Sequence, residues 1–497
     1  MEPVYSIRPA LAIAISLTCA GLIGLTGKRH RNFREFWTLS AAVSKYIIVI
    51  SMFPLVYHGG EYIFSTFEII PGVGFDLRVD AFSMFFSFLS SFLWIVTSVY
   101  SIGYMRSLHE HSQTRYYLSF AVCVASTIGI AFADNLFTLF IFYEMLTIAT
   151  YPLIIHEETP EAMAAGRKYL IYLLGASLFI LLGMVITYSL TGTLTFSNSG
   201  ILAGHGTPET LKTLFVLFVI GFGTKAAIMP LHGWLPSAMV APTPVSALLH
   251  AVAVVKAGVF GLIRVIYFIY GTDLMRELGL GLPLAIAASI TIIVASLFAL
   301  AQDNLKLRLA YSTVSQLSYI ILGVALLTPS AATGGIIHIA NQAFMKITLF
   351  FCAGAIFVQT GKKNISEMHG IGKTMPLTMI CFAICAMGMA GVPPMAGFIT
   401  KWYLCLGALE AGQPIFVAVL LTSALLNIAY FFPPIYNAFF MEPEKGAKKD
   451  NDPTWWLLLP IVLCALASIF LGLIPRAPFT PLRLASVVVE QIMGGLL

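Results

Sequence analysis

Nine ionisable side chains fall inside stretches of the sequence that are otherwise apolar. They are Glu144, His250, His338 and six basic residues, namely Lys45, Lys225, Lys256, Arg264, Lys346 and Lys401. A charge at the centre of a bilayer costs about 2.5–3.5 kcal/mol on insertion scales. Lys45 and Arg264 lie nearer the ends of their stretches, so we expect them to extend to a membrane surface as anchors. For the others, function is favoured over structural pairing.

The chemistry that these residues offer is the uptake and release of protons. Glu144 can stay neutral when it is protonated in a low-dielectric site, and a desolvated lysine such as Lys225 gives up its proton more readily than a solvated one. One carboxylate with several lysines is therefore a set of groups able to pass protons. The alternative is a single structural Glu–Lys salt bridge, which leaves the remaining lysines unexplained.

Helical spacing predicts two polar stripes. His338, Gln342 and Lys346 stand at i, i+4 and i+8, so His338 and Lys346 lie about 12 Å apart along one helix face. That separation suits one or two bridging waters better than direct transfer. A second stripe, for which a functional role and helix–helix adhesion both stay open, comprises Ser312, Ser315, Gln316 and Tyr319.

His250 and Lys256 are six residues apart in one predicted helix. This spacing directs the two side chains about 120° apart, toward different neighbours. A structural role remains an open alternative for His250, because a single buried histidine is usually a satisfied core residue.

Prolines interrupt two apolar stretches close to lysines. Pro230 and Pro236 follow Lys225, and the pair Pro393 and Pro394 precedes Lys401. Proline removes a backbone donor and clashes with the preceding turn, so both helices should be broken in mid-course. Irregular backbone at membrane depth is tolerated only inside protein or beside water, and paired broken helices indicate the binding region of transporters. Helix kinking without transport is the alternative.

The composition places the elements that carry these residues in a membrane. The 497 residues are 58% hydrophobic and 10% charged, and the mean hydropathy is +0.88. Soluble domains carry about 25% charged residues, so a soluble enzyme, a disordered protein and a nucleic-acid binder are excluded. The net charge of +5 adds little, because basic and acidic residues nearly cancel.

Windows of about 20 apolar residues, the length of a spanning helix, recur along the chain. They predict an all-α polytopic membrane protein with about 14 transmembrane helices, at residues 9–26, 35–57, 80–102, 115–133, 135–154, 167–190, 211–230, 242–270, 282–301, 307–327, 334–358, 375–409, 414–440 and 454–474.

Loop charges predict the orientation through the excess of lysine and arginine on the cytoplasmic side. They place both termini outside. Six basic residues then face outward, namely Arg8, Arg78, Lys212, Arg276, Arg476 and Arg483. Sixteen face inward, namely Lys28, Arg29, Arg31, Arg34, Arg106, Arg115, Arg167, Lys168, Lys306, Arg308, Lys362, Lys363, Lys373, Lys445, Lys448 and Lys449.

Cofactor motifs are missing from the sequence. The seven cysteines are scattered through apolar segments without a C-x-x-C pair, and neither a P-loop nor a dinucleotide glycine fingerprint occurs. No cofactor and no metal is therefore predicted. A haem- or quinone-binding redox subunit stays a rival, but neither His250 nor His338 has a same-helix partner at a useful spacing.

Four segments resemble the antiporter-like subunits shared by complex I and Mrp-type Na+/H+ antiporters. They are FYEMLTIATYPL, GTKAAIMPLHGWLPSAMVAPTPVSALLHAVAVVKAGVFGLIR, HIANQAFMKITLFFCAGA and GVPPMAGFITKW. The resemblance covers nearly the whole chain, and within the family it is greatest to the D-type subunit of Mrp antiporters and its hydrogenase-associated relatives.

The resemblance implies two inverted five-helix repeats, each with a broken helix. The expected divisions are residues 1–110 (helices 1–3), 111–275 (first repeat), 276–440 (second repeat) and 441–497 (last helix and tail). It also implies proton-carrying roles for Glu144, Lys225, His250, Lys256, His338, Lys346 and Lys401. Some family members carry glutamate at the position of Lys401, so this lysine does not separate the subtypes.

The sequence thus predicts a proton-translocating subunit of a larger complex in a prokaryotic inner membrane, with no catalytic chemistry of its own. Expected partners are other membrane subunits, protons, the lipid bilayer and Na+ as a candidate second ion, without nucleic acid. The D-type subunit of an Mrp antiporter is the first expectation. The alternatives are a pumping subunit of a complex I-like or hydrogenase complex and a standalone transporter of a solute or cation.

Overall fold

Helices account for most of the chain. A computed structural model describes residues 3–27, 30–443 and 451–494, apart from the side chains of residues 249 and 250. The first seven helices are α1 (Arg8–Thr26), α2 (Arg31–Tyr57), α3 (Ala81–Ser107), α4 (Gln113–Phe132), α5 (Leu136–Ile154), α6 (Pro160–Thr191) and α7 (Pro208–Lys225).

The middle of the chain contains shorter helices. They are α8 (Trp234–Ser237), α9 (Thr243–Ala251), α10 (Val254–Arg264) and α11 (Thr272–Glu277). A 3-10 turn at Ala238–Val240 follows α8, and a π-helical stretch at Val265–Tyr270 follows α10.

The remaining helices form the second half of the molecule. They are α12 (Gly281–Leu300), α13 (Leu305–Ala325), α14 (Pro329–Thr360), α15 (Ile371–Thr374), α16 (Pro376–Ala390), α17 (Ala396–Glu410), α18 (Ile415–Phe440), α19 (Trp455–Leu473) and α20 (Pro481–Met493). The apolar face of α20 packs on α3 and α14.

Five short strands add two small sheets to the N-terminal part. They are β1 (Val4–Tyr5), β2 (Tyr62–Phe64), β3 (Glu68–Ile70), β4 (Val73–Gly74) and β5 (Leu77–Val79). β2 pairs with β1 in parallel and with β5 antiparallel, while β3 and β4 form a hairpin. Hydropathy did not indicate these strands. They are minor, and the all-α class of the prediction is confirmed.

Ten helices in the described part of the chain are long and apolar enough to span a membrane: α1 to α6, α12, α14, α18 and α19. The other predicted windows correspond to α7, to α9 with α10, to α13, and to α16 with α17. These helices are short, interrupted or rich in polar side chains, so the total of fourteen spans stays a prediction. Five loop lysines and arginines used for the orientation lie outside the described residues, namely Lys28, Arg29, Lys445, Lys448 and Lys449.

The two halves of the chain repeat the same helix pattern. α6 and α14 each contain 32 residues. Each begins with a proline, Pro160 or Pro329, whose missing N–H costs nothing at a helix start. Each ends at a left-handed glycine, Gly192 (φ 70°) or Gly361 (φ 73°), a conformation that glycine adopts without strain.

The loops of the two halves correspond as well. Asn135 and Asn304 begin α5 and α13, and each side chain accepts a hydrogen bond from the backbone N–H three residues on. Asn135 also bridges to Thr195, and Asn304 to Asn364, in the segment after the long helix. A constant offset in sequence relates all these pairs. The predicted repeat boundaries and the inverted relation between the halves both stay predictions.

Candidate functional site

The first broken helix presents Lys225 at the carboxyl end of α7. The helix stops there, residues 226–233 are not helical, and Pro230 lies in this interruption whereas Pro236 lies in the short helix α8. The Lys225 ammonium is buried, donates a hydrogen bond to the backbone oxygen of Tyr143 at 2.7 Å and lies 3.2 Å from the centre of the Tyr143 ring. Its position also suits the negative end of the helix dipole.

Glu144 lies on α5, next to the residue that holds Lys225. The Glu144 carboxylate and the Lys225 ammonium act on each other electrostatically. Glu144 is only half-buried, and within the described part of the chain its Oε1 atom has no hydrogen-bond partner. The carboxylate is therefore positioned to respond both to Lys225 and to a charge outside this chain.

Lys256 lies on α10, which packs directly against the interruption after α7. Its ammonium is fully buried and has no hydrogen-bond partner among the residues described. It lies within electrostatic reach of His338 and Lys346 on α14. Lys256 thus stands between the two halves of the chain.

The helix that carries His250 and Lys256 is not continuous. Two residues between α9 and α10 leave the helical conformation, namely Val252 (φ −134°, ψ −46°) and Ala253 (φ −91°, ψ −90°). The predicted angle of about 120° between the two side chains assumed one regular helix, so that geometry was wrong. His250 itself belongs to α9, and its side chain lies outside the described residues.

Gly258 permits the close approach of α10 to Lys225. A Cβ atom at position 258 would lie 2.7 Å from the carbonyl carbon of Lys225 and 2.8 Å from its Cβ atom. Backbone atoms cannot move aside cheaply, and overpacking of this kind costs about 1–3 kcal/mol.

Gly258→Val is therefore expected to lower the unfolding temperature of the purified protein. Gly175→Val is the matched control, since a Cβ atom at position 175 meets no heavy atom within 4 Å. Thermal unfolding in detergent measures this effect. Equal unfolding temperatures for the two variants would show that α10 does not press on the interruption.

Lys346 and His338 on α14 take their partners from the polar stripe on α13. The Lys346 ammonium donates to the hydroxyl of Ser312 and, at 3.4 Å, to the backbone oxygen of Leu309. His338 Nε2 lies 3.0 Å from Gln316 Oε1. The polar stripe on α13, for which the sequence left both a functional role and helix–helix adhesion open, thus contacts the titratable side chains of α14 directly.

Gln342 occupies the position midway between His338 and Lys346. It is fully buried, and neither its amide nitrogen nor its amide oxygen has a partner within the described structure. Buried polar groups are nearly always paired with protein or with ordered water. The midpoint of the stripe is therefore a place where a bridging water would be held.

Tyr319 connects His338 to Lys401. Its ring stacks on the His338 ring with centroids 5.5 Å apart, and the Lys401 ammonium lies 5.8 Å from the centre of the same ring. Helical spacing predicts Tyr319 on a polar stripe, but it gives no sign of this contact, because α17, which carries Lys401, is distant in sequence.

The second broken helix places Lys401 in the second turn of α17, close to its interruption, whereas Lys225 is the last residue of α7. α16 ends at Ala390, α17 begins at Ala396, and Pro393 and Pro394 lie between them. The Lys401 ammonium donates a hydrogen bond to the backbone oxygen of Ala390. The Met229–Pro230 and Pro393–Pro394 peptide bonds are both cis.

Lys45 and Arg264 do not extend to a membrane surface, so the anchoring prediction was wrong. Lys45 is fully buried, with its ammonium 3.7 Å from the centre of the Trp94 ring. Arg264 is 1% exposed and forms hydrogen bonds of 2.6 and 3.1 Å to Asp80 and of 2.9 Å to Ser83. Aromatic and acidic partners inside the protein replace the solvent that both groups were expected to reach.

A cavity of about 590 Å³ opens beside the segment that links α8 to α9. Glu157, Thr243 and Lys306 contribute to its wall, and the Lys306 ammonium donates to the backbone oxygen of Ala241 at 2.7 Å. The loop charges predicted Lys306 in a cytoplasmic loop, but it lies in the first turn of α13. It immediately precedes the predicted span 307–327, and this position was the one sign in the sequence that Lys306 lies at the start of a helix.

Known proteins carry the same arrangement of helices. A family model described as NADH:quinone oxidoreductase/Mrp antiporter, TM, matches residues 133–427. The chain belongs to this family. Of the nine ionisable residues found within apolar stretches of the sequence, that range contains all except Lys45.

Members of the family from both branches are similar to the chain. It is 35% identical over 418 residues to the N-type subunit of NADH-quinone oxidoreductase from Desulforudis audaxviator, covering 81% of this chain and 83% of that protein. It is 28% identical over 445 residues to the D-type subunit of the Na+/H+ antiporter from Alkalihalophilus pseudofirmus, covering 89% of each. The family resemblance is thus confirmed, but the likeness to the D-type antiporter protein is not specific.

A solved structure shows the same fold. One chain of the membrane-bound sulfane sulfur reductase, an archaeal respiratory membrane complex, matches with a TM-score of 0.88 and 26% identity, over 98% of both chains. The protein is therefore a polytopic integral membrane subunit of the antiporter-like type.

Proposed function

We propose that this chain carries protons across the membrane through its buried titratable side chains, as one subunit of a multi-subunit complex. The observation that supports the proposal is the burial of polar groups, several of them in contact, in otherwise apolar helices of both halves of the chain, and we take these groups to form one line. Its members are Glu144, Lys225, Lys256, Lys346, His338, Tyr319 and Lys401. His250 is proposed as a member on the family pattern alone.

Protons enter from the cytoplasmic side through the cavity walled by Glu157 and Lys306. From there they reach Lys256, whose buried side-chain nitrogen accepts a proton as the neutral amine and releases it as the ammonium, without first breaking a hydrogen bond to any of the described residues. Loss of the charge on Lys256 changes the field at His338 and Lys346. These groups therefore titrate jointly and not one at a time.

Water completes the route at the stripe on α14. Gln342 holds a water between Lys346 and His338, since its two amide atoms, unpaired within the described residues, supply one donor and one acceptor. The proton then passes beside the Tyr319 ring, which contacts both His338 and Lys401, and leaves outward from Lys401. The half-buried Glu144 carboxylate influences the protonation of Lys225. A change of charge on a neighbouring protein of the complex therefore drives proton movement along these groups.

Within the family, the finer proposal is the D-type subunit of an Mrp cation/proton antiporter in a prokaryotic inner membrane, with both termini outside. The alternative is the pumping subunit of a complex I-like or hydrogenase complex, which the 35% identity to an N-type NADH-quinone oxidoreductase protein favours. A second alternative is a standalone transporter, which requires activity when the chain is expressed alone.

Two measurements separate these alternatives. Gentle purification followed by identification of the bound proteins distinguishes hydrophilic redox partners from purely membrane-embedded ones. In membrane vesicles with a pre-formed proton gradient, added Na+ collapses the gradient if the complex exchanges Na+ for protons. A complex driven by redox chemistry instead needs its electron donor to form a proton gradient, and added Na+ leaves that gradient unchanged.

Glu144→Gln is expected to lower proton transport by the complex by at least about tenfold. The change keeps the shape of the side chain but removes the titratable charge next to Lys225, and positioned proton-transfer groups contribute at least this much. Quenching of a pH-sensitive dye in vesicles measures transport, and Glu209→Gln on the exposed start of α7 is the control. Equal rates for the two variants would exclude Glu144 from the line.

A further inference from the structure

Three side chains of types that commonly bind metals lie close together where the turn between α3 and α4 contacts the end of α5. None of the three belongs to the proposed line of proton-carrying groups. Glu110 and His111 belong to the turn, and His156 follows α5. Glu110 Oε2 lies 3.6 Å from His156 Nε2 and 3.8 Å from His111 Nδ1. One potential ligand atom from each of the three residues fits within 4.8 Å of the others.

His156 is the decisive member of this cluster. Its side chain is 0% exposed, and within the described residues neither ring nitrogen has a hydrogen-bond partner. An imidazole always presents at least one donor, and buried polar atoms of this kind are rarely left unpaired. The ring faces Glu110 at a distance too long for a hydrogen bond, so the two groups leave room for a third atom between them.

We propose that Glu110, His111 and His156 form a binding site for a divalent transition-metal ion of the Zn2+ type. Tetrahedral zinc with ligand bonds of about 2.0–2.2 Å holds its ligand atoms about 3.3–3.6 Å apart, close to the two separations from Glu110. Two imidazoles and one carboxylate select such ions over Mg2+ and Ca2+. His111 is half-exposed, so solvent supplies the fourth ligand.

The surrounding charges suit a cation. Arg115, in the first turn of α4, forms a 2.6 Å ion pair with Glu158. A second hydrogen bond ties Arg115 to the backbone oxygen of His156 at 3.2 Å. Arg115 is thus neutralised by its own partner, and Glu157 adds a negative charge beside the cluster.

A bound ion would join two segments that are separate in sequence. His156 precedes Glu157 and Thr159, which line the cavity beside Lys306. A metal bridge from Glu110 to His156 would therefore fix one wall of this cavity to the turn between α3 and α4. The sequence did not reveal the site, because His156 lies far from the H-E-H triplet (residues 109–111) and the absence of metal was inferred from cysteine spacing alone.

The experiment is Zn2+ binding to the untagged, full-length protein in detergent, measured by equilibrium dialysis with metal analysis. Wild type is expected to bind one Zn2+ per chain and to unfold at a higher temperature when it is bound. Glu110→Gln and His156→Gln should each weaken binding by about 100-fold, at the upper end of what loss of even an outer-shell partner costs. His109→Asn, on the exposed part of the same turn, is the matched control and should bind normally.

Cobalt provides a second readout that does not depend on the stability of the variants. Co2+ in a site of this geometry should give the strong visible absorption of tetrahedral cobalt in wild type and in His109→Asn, and His111→Ala should abolish it. Because His111 is half-exposed, this variant should fold. Less than one Zn2+ per wild-type chain, or equal binding by wild type, Glu110→Gln and His111→Ala, would overturn the proposal.

Discussion

Replacement of Lys225 by alanine is expected to abolish ion transport by the assembled complex. The ammonium is fully buried and is held by the backbone oxygen and the ring of Tyr143. Alanine removes the titratable group at the end of α7 and leaves Glu144 without the cation that acts on it. Removing a positioned proton-transfer group costs at least about 100-fold in rate, so dye quenching in vesicles should fall to the level of vesicles that lack the complex.

A second substitution separates proton transfer from structural pairing at the same position. Lys225→Arg keeps a positive charge beside Tyr143, but a guanidinium does not release its proton in proteins. Transport should therefore stay lost while the complex still assembles. Lys212→Ala, on the exposed start of the same helix, controls for loss of a lysine from α7. Normal transport with either Lys225 variant would rule out the proposed line of proton carriers.

The positions of the buried charges could be predicted from the sequence because hydropathy alone decides them. Lys256 and Lys346 fall deep within apolar stretches, and the structure leaves both 0% exposed. The two helix interruptions could be predicted for a similarly local reason, since proline cannot donate the backbone hydrogen bond that a helix needs. Each of these inferences requires only residues adjacent in the chain.

Partners of the charges could not be predicted, because they come from distant helices. Arg264 was expected at a membrane surface, yet Asp80 and Ser83 at the start of α3 hold it inside the protein. Tyr319 was placed on a stripe whose role stayed open, and only the arrangement of α13, α14 and α17 shows that it touches both His338 and Lys401. Hydropathy carries no information about which helices are neighbours.

The interruption between α9 and α10 was missed for a different reason. The sequence around Val252 and Ala253 contains neither proline nor glycine, so local rules predict a continuous helix. Gly258 on α10 packs closely against the end of α7. We attribute the break to this contact, because it fixes the position of α10 independently of α9. Tertiary packing thus overrides helix propensity next to Lys256, where irregular backbone inside protein is tolerated at membrane depth.

Loss of Asp80 is expected to destabilise the protein by about 3–5 kcal/mol, the usual cost of leaving a buried charge without its partner. Arg264 is 1% exposed and Asp80 13% exposed at the side chain, and their guanidinium–carboxylate distance is 2.6 Å. Asp80→Asn preserves the acceptor that caps α3 at the backbone N–H of Ser83. The measured loss therefore reports on the ion pair and not on the helix cap. Unfolding of the purified protein in increasing SDS is the measurement.

The double variant Asp80→Asn with Arg264→Met should recover most of this stability, because it removes both charges and keeps an apolar stem among the rings around Arg264. Such recovery is the signature of a buried pair, in which an unpaired charge costs more than no charge at all. Asp273→Asn, which removes the partner of Arg276 in an exposed pair, should leave unfolding unchanged. A double variant as unstable as Asp80→Asn alone would instead assign the loss to the packing around Arg264, and Asp80 would then be no more than the cap of α3.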